Sequence, residues 1–460
     1  MSSLYDFRTW EPLLRLLRAA HAQTLAVPGG QVAGSIGRGS YSVPVKWRYP
    51  QPGRAMLVSD NRAEHEAIER VRDTLAGAGV SDIEFTAEIP PNGAAVLRLF
   101  DHGPAAVSGI GRAVGALTLV EGAVPEPWRR LPAPSDRARP APSADAALLE
   151  RALRERLPDA IGATEEEIAA AEQRLGLPLA EEVKALYRVT RAGWEDWLAD
   201  PEAGRRLVAT LGFEPVAPEH LDVAHLSHRW SFQWEHAATE AALTGPDDAV
   251  QDLVGSAGWI VIGVTGGGDQ VAVDLTPGPR GHLGQVIVLD HEQSVGASLW
   301  AESLTDLVLG PERSWYKGYR GNKRPVTAIV HDRSIGSIEG AAHPALEVLQ
   351  IGAWTGAPLS LAPVVGLPRL RTLCAYPGTL ADPLEIAALT GLEFLELAPE
   401  DWRALLDAGA VPRGLSAAAI RTFGRNGTRP VMALADEILA LFGRPLITET
   451  VVNGDLGPLS

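Results

Sequence analysis

The 460-residue sequence contains a single cysteine, Cys374. One thiol excludes intrachain disulfides and any zinc cage built from thiolates. No apolar run approaches the roughly 18 residues that a membrane-spanning helix needs. The start, Met1-Ser2-Ser3-Leu4-Tyr5-Asp6, has neither the basic flank nor the apolar stretch of a secretory signal. The expected location is therefore the cytoplasm, without a membrane partner. Lysine is scarce: Lys46, Lys184, Lys317 and Lys323 are all there are, so arginine carries the positive charge. Motifs of nucleophilic and phosphate chemistry are also missing. There is no Gly-x-Ser-x-Gly elbow and no phosphate-loop signature. Gly34-Ser35-Ile36-Gly37-Arg38-Gly39 lacks dinucleotide-binding spacing and reads as a hairpin. Thr265-Gly266-Gly267-Gly268-Asp269 has no Lys-Ser/Thr behind it and reads as a turn between strands.

What is present is acid. Apolar residues at 46 % and charged residues at 21 % fit a globular chain of several domains. Lys+Arg 41 against Asp+Glu 57 leaves −16, which argues against nucleic acid as a direct partner. The excess is concentrated. Between Ala147 and Trp300 there are 25 acids and 11 Lys/Arg, a balance of −14. Such a region either solubilises the protein or steers a basic protein partner toward it.

Six prolines between Pro125 and Pro142 predict a semi-rigid linker over residues 125–145. Residues 1–124 ahead of it read as a small α+β domain of unknown role. Trp10, Leu13, Leu14 and Leu17 lie at helical spacing. Asp60 is a candidate cap for a helix that buries Ile68, Val71 and Leu75 and ends near Gly77. Ile83–Ala87 and Ala95–Phe100 form a hairpin around Pro90-Pro91-Asn92-Gly93.

The next domain, 146–318, opens with a capping box, in which the Thr164 hydroxyl and the Glu167 carboxylate satisfy each other's backbone amides. Ile168, Ala171 and Leu175 follow at helical spacing up to Gly176. Pro178 then starts a second helix through Leu179, Val183, Leu186 and Tyr187. Trp259–Gly263, Gln270–Leu275 and Gly284–Leu289 read as strands, and Ser298–Leu309 as a helix.

In residues 325–425 the runs beginning at Leu346, Leu370 and Leu392 repeat at spacings of 24 and 22. A Leu-x-x-Leu-x-apolar strand at that period marks leucine-rich repeats, divergent here because the usual asparagine is absent. Asp401–Leu406 reads as a capping helix, and residues 426–460 as a helix and tail.

The segment from Gly162 to Tyr187, the Leu175-Gly176-Leu177-Pro178 turn, the Trp259–Gly268 hairpin and Gly284-Gln285-Val286 together resemble the SUKH superfamily. That group includes the yeast cell-wall-assembly and killer-toxin-resistance regulators and many bacterial immunity proteins. The likeness covers roughly 170 residues. One departure is Ala192-Gly193-Trp194, where the family often has an Asp-Gly turn. The resemblance implies an α+β fold of mixed helices and antiparallel sheet. It also implies a non-enzymatic role in protein–protein interaction, either immunity/antitoxin-type neutralisation or regulation.

Two constellations are candidates for function. Trp194, Trp197, Trp230 and Trp234 stand in acid-rich segments beside Glu195, Asp196 and Glu235. Aromatics in such a setting are either core residues or interface anchors. As anchors they fit a basic protein partner, for example a nuclease toxin. The rival reading is a metal-dependent enzyme that uses His220, His225, His228 and His236, which lie within seventeen residues. Their spacing matches no standard zinc set, so no metal, cofactor or catalytic residue is expected.

Overall fold

The computed structural model describes residues 3–48, 61–109, 112–133, 138–193, 195, 200–224, 234–311, 326–423 and 427–458. The chain divides into two compact units, one made of 1–123 with 329–460 and the other of 124–328. The first unit is therefore discontinuous in sequence, with the second inserted into it.

The first unit contains a five-stranded antiparallel sheet in the order Thr448–Asp455, Ala94–Asp101, Asp82–Glu88, Val32–Gly37, Tyr41–Ser42. The helices Phe7–Ala20 and Arg62–Ala78 pack onto it. Their stripes, Trp10-Leu13-Leu14-Leu17 and Ile68-Val71-Leu75, meet Ile83, Phe85, Ala87, Leu97 and Leu99 from one face of the sheet. Trp10 and Phe85 make an edge-to-face pair at 5.2 Å. The second helix starts after Asn61 and stops at a left-handed Gly79 instead of Gly77. Asp60, the expected cap, lies outside the described residues.

Residues 426–460 read from the sequence as a helix and tail, separate from the N-terminal domain, with no strand marked at Thr448–Asp455. That segment is instead an edge strand of that domain's sheet, in register from Thr448 opposite Asp101 to Asp455 opposite Ala94. Gly454 makes this possible, because a Cβ there would lie 2.2 Å from the Phe7 ring.

The other sheet of this unit holds four consecutive parallel strands, Val348–Ile351, Thr372–Ala375, Phe394–Leu397 and Ala417–Ile420. The strand Thr327–Val330, within which the second unit gives way to the first, lies at one edge, and Ala116–Thr118 pairs antiparallel at the other. Leu349, Leu373, Leu395 and Ala418 occupy the same position in successive strands and are buried. The short 3₁₀ turns Ala362–Val364 and Pro383–Ala388 make two of the returns, a stacked-repeat geometry. Helix Pro399–Asp407, read from the sequence as a cap, instead precedes a fourth strand. Alanines fill that strand where leucine would have marked it.

The second unit carries an antiparallel sheet in the order Ser298–Ala301, Gln285–Leu289, Gln270–Asp274, Ser256–Val264, Glu214–Pro215. Asp222–Ala224 also pairs with Ser256–Val264. Helices Ala146–Arg156, Glu165–Leu175, Glu181–Val189 and Pro201–Leu211 supply Leu149, Ile168, Val183, Leu186, Tyr187 and Leu207 to one core. Ile260, Ile262, Val271, Val273 and Val286 meet them from the sheet. The expected capping box is present: Thr164 N–H donates to Glu167 Oε2 at 2.7 Å and Glu167 N–H to Thr164 Oγ1 at 3.2 Å. The stretch read as one helix over Ser298–Leu309 is a strand, Ser298–Ala301, followed by a short helix, Leu304–Leu309, capped by Ser303. Its apolar residues satisfy either period, and pairing with Gln285–Leu289 decides for the strand.

The proline-rich segment also differs from the expected linker. Glu126–Arg129 is a helical turn with Trp128 buried, and Pro140 bridges to Leu283. The Gln251 amide holds Ala133 on both sides, accepting from its N–H at 2.8 Å and donating to its carbonyl at 2.8 Å. Proline has no spare amide for a ladder, so a buried glutamine supplies the pairing instead.

Candidate partner-binding site

Two backbone segments run side by side on the second unit. Arg191 N–H donates to the Ile161 carbonyl at 2.7 Å, and Ala163 N–H to the Tyr187 carbonyl at 2.8 Å. Gly162 is required between them, because a Cβ there would stand 2.2 Å from the Arg188 carbonyl oxygen. Ala192 follows with φ 51°, the one non-glycine in the left-handed region among the described residues. It is buried, and its N–H reaches Thr190 Oγ1 at 3.1 Å. A left-handed alanine costs about 1–2 kcal/mol relative to an ordinary conformation.

This turn separates two depressions that share Gly193. One is a notch of about 210 Å³ floored by Leu157, Ala160, Ala203 and Leu207, with Ile161 at its edge, 56 % exposed. The other is a cleft of about 580 Å³ lined by Glu167, Glu195, Glu214 and Glu219, with Arg191 and His220. The four glutamates are exposed. Hydrogen bonds from the Thr164 backbone and hydroxyl hold the Glu167 carboxyl below its ordinary range, so its charge is fixed at the helix start. Tyr187 lies beneath, its hydroxyl donating to the Val216 carbonyl at 2.9 Å. Burial, then the Glu219 charge, pushes the Tyr187 pKa up, so it stays neutral.

Of the expected anchors, Glu195 lines this cleft, half-buried Glu235 does not line it, and Trp234 is buried at 4 % exposure. A tryptophan so enclosed is a core side chain. Trp194, Trp197, Trp230 and Asp196 lie outside the described residues. Of the histidines, His220 is exposed in the cleft and His236 is exposed, while His225 and His228 lie outside the described residues.

A group the sequence reading passed over is Asp269, Asp290 and His291, whose ligating atoms fall within 4.8 Å of one another. Asp269 Oδ1 accepts from the His291 backbone N–H at 3.1 Å and faces its Nδ1 at 2.8 Å, while Thr265 Oγ1 donates to Oδ2 at 2.9 Å. These bonds fasten the glycine turn to the end of strand Gln285–Leu289. Burial works against the charged form of Asp269, yet its hydrogen bonds with His291 and Thr265 hold its carboxyl below the usual range; the Asp269 contact raises His291. Deeper in the sheet, burial pushes Asp274 up to about 6, against hydrogen bonds from Gln285 and Thr276.

Residues 162–310 match the family model of the SMI1 / KNR4 family (SUKH-1). This segment is a SUKH domain. The KNR4/SMI1 homolog of Kluyveromyces lactis is 38 % identical over 72 residues, 14 % of this chain and 14 % of that protein. The glucan synthesis regulatory protein of Neurospora crassa is 28 % identical over 121 residues, 24 % of this chain and 22 % of its own. The cell wall biosynthesis/cell cycle regulator smi1 of Schizosaccharomyces pombe is 31 % identical over 122 residues, 26 % of this chain and 21 % of its own. The chain thus spans under a quarter of the length of each relative. The matched range 162–310 of this chain contains Gly162, Ala192 and the residues that line the acidic cleft. No helix among the described residues is long and apolar enough to cross a membrane.

Proposed function

We propose that this is a non-enzymatic, cytoplasmic protein that acts by binding a protein partner through its SUKH domain, as a regulator or as an immunity protein. The observation that carries the reading is the acidic cleft in a domain whose sequence balance is −14 between Ala147 and Trp300. Phosphate is repelled by such a surface, whereas a basic protein is drawn to it. The matched relatives carry regulatory names, which supports the regulatory form. A nuclease toxin fits the immunity form, because a protein that must hold phosphate is itself basic. The parallel ladder of the other unit reads as divergent leucine-rich repeats, a second surface for protein contact.

The test is affinity capture on the full chain, followed by reconstitution of the binary complex from purified components. A basic partner should bind with an affinity that falls steeply between low and high salt. A partner that binds equally at both salt concentrations, or a metal-dependent turnover abolished by substituting His220, would overturn the reading.

A further inference from the structure

We infer that the apolar notch and the acidic cleft are two halves of one docking site, which takes an extended basic segment with a single branched aliphatic side chain. The inference rests on the protein-binding reading above and names the chemistry of the partner. Gly193 lines both depressions, so the Thr190–Gly193 turn is a low divider between neighbouring subsites. Gly193 itself contributes no side chain between them.

The notch fits one apolar residue. Its volume of about 210 Å³ exceeds the roughly 150 Å³ of an apolar cavity that holds benzene. Its floor is aliphatic, and polar groups sit at the rim, Asp159 with Arg206 at 3.8 Å and Asp200 at the start of its helix. An aliphatic side chain buried there meets apolar atoms, and the rim meets the charged residues beside it. The exposed Ile161 widens the apolar surface at the mouth.

Charge fixes the flanking residues. The two depressions together present six carboxylates, Glu167, Glu195, Glu214, Glu219, Asp159 and Asp200, against the guanidinium groups of Arg191 and Arg206. An acidic or phosphorylated segment is repelled. A segment with lysine or arginine on both sides of the anchor pairs with the cleft and the notch rim together. Carboxylates alone supply steering and little specificity, and the enclosed anchor supplies the specificity.

The probe is a labelled, unstructured peptide, Arg-Lys-Leu-Arg-Lys between glycines, titrated by fluorescence polarisation onto the full chain. Controls replace the leucine by serine, or all four basic residues by glutamate. The leucine peptide should bind, the serine peptide about tenfold more weakly, and the glutamate peptide not at all. Ala203→Trp fills the notch and should weaken the leucine peptide to the level of the serine peptide. Glu195→Lys with Glu219→Lys, both on exposed side chains, should weaken both basic peptides and reduce the salt dependence. Thermal melts of each variant check that the domain stays folded. Leucine and serine peptides that bind alike, no binding by either, or a folded Ala203→Trp that binds as before would each overturn the bipartite site. Separately, a captured partner that ignores these substitutions leaves the protein-binding reading in force while refuting this site. A chain that yields no reconstituted complex refutes the reading itself.

Discussion

Arg18 donates from Nη1 to the carbonyl oxygen of Gly457 at 2.6 Å, across 439 residues of sequence. Arg15, one turn earlier on the same helix, does likewise to Leu456 at 3.0 Å. The first helix thus grips the tail directly behind the strand that completes the five-stranded sheet. Without that strand, Ala94–Asp101 becomes a sheet edge with a row of unpaired amides.

Truncation after Phe442 should therefore destabilise the N-terminal sheet, although it removes nothing from residues 1–123. The truncated chain should lose the cooperative melt of this unit, or melt at least about 5 °C lower, and expose Ala94–Asp101 to amide exchange. Melting and exchange identical to the full chain would contradict the split unit.

Residues 124–328, expressed alone, should fold. All the ties of the proline-rich segment described above stay inside that stretch, including the Gln251 grip on Ala133. Gln251→Ala should leave the Ala133 amide and carbonyl unpaired and cost about 1–3 kcal/mol by denaturant titration. In limited proteolysis the same substitution should open the 125–145 region to early cleavage.

The strap beside the candidate site gives two substitutions of opposite sign. Gly162→Ala drives a methyl into the Arg188 carbonyl and should cost about 1–3 kcal/mol. Ala192→Gly relieves a left-handed alanine and should raise stability by about 0.5–1 kcal/mol. Chemical denaturation of each variant against the parent reads both. A neutral Gly162→Ala would mean that the two segments lie farther apart.

The Asp269–His291 pair should stabilise the protein over a limited pH range. Asp269 is held low, so its contribution is present above 3.8 and is lost as pH falls through its depressed value. His291 is held high, so its contribution is complete below 6.5 and is lost as pH rises through its elevated value. The melting difference between parent and His291→Ala should be largest between those limits and shrink on both sides. A difference that keeps growing above neutral pH would exclude an ionic origin. With the His291 side chain 52 % exposed, the effect is small and falls further in salt.

How much of this was legible in the sequence depended on range. The Thr164–Glu167 box, the left-handed Gly176 and the first helix are set by contacts a few residues apart, and the sequence reading found each. Strand Thr448–Asp455 was invisible, because its run Thr-Glu-Thr-Val-Val-Asn-Gly-Asp has two apolar residues and its partner lies some 350 positions away. Ala417–Ile420 was missed for a related reason: alanine satisfies the stack without the branched side chains that announce a strand. The cleft was only partly legible. Its glutamates are scattered from 167 to 219, and the fold, not the spacing, brings them to one hollow.

The interrupted first unit also sets an order of events during synthesis. The N-terminal sheet is complete only when residue 455 pairs with residue 94, so strand Ala94–Asp101 must wait for about 350 further residues. At about 5–20 residues per second the wait is roughly 18–70 s, long against the folding time of a small domain. The SUKH domain emerges whole within that interval and can be native while its host is still half-made. Aggregation risk in the newborn chain therefore falls on Ala94–Asp101, and a chaperone that shields an open sheet edge would matter more to this protein than one that assists its central domain.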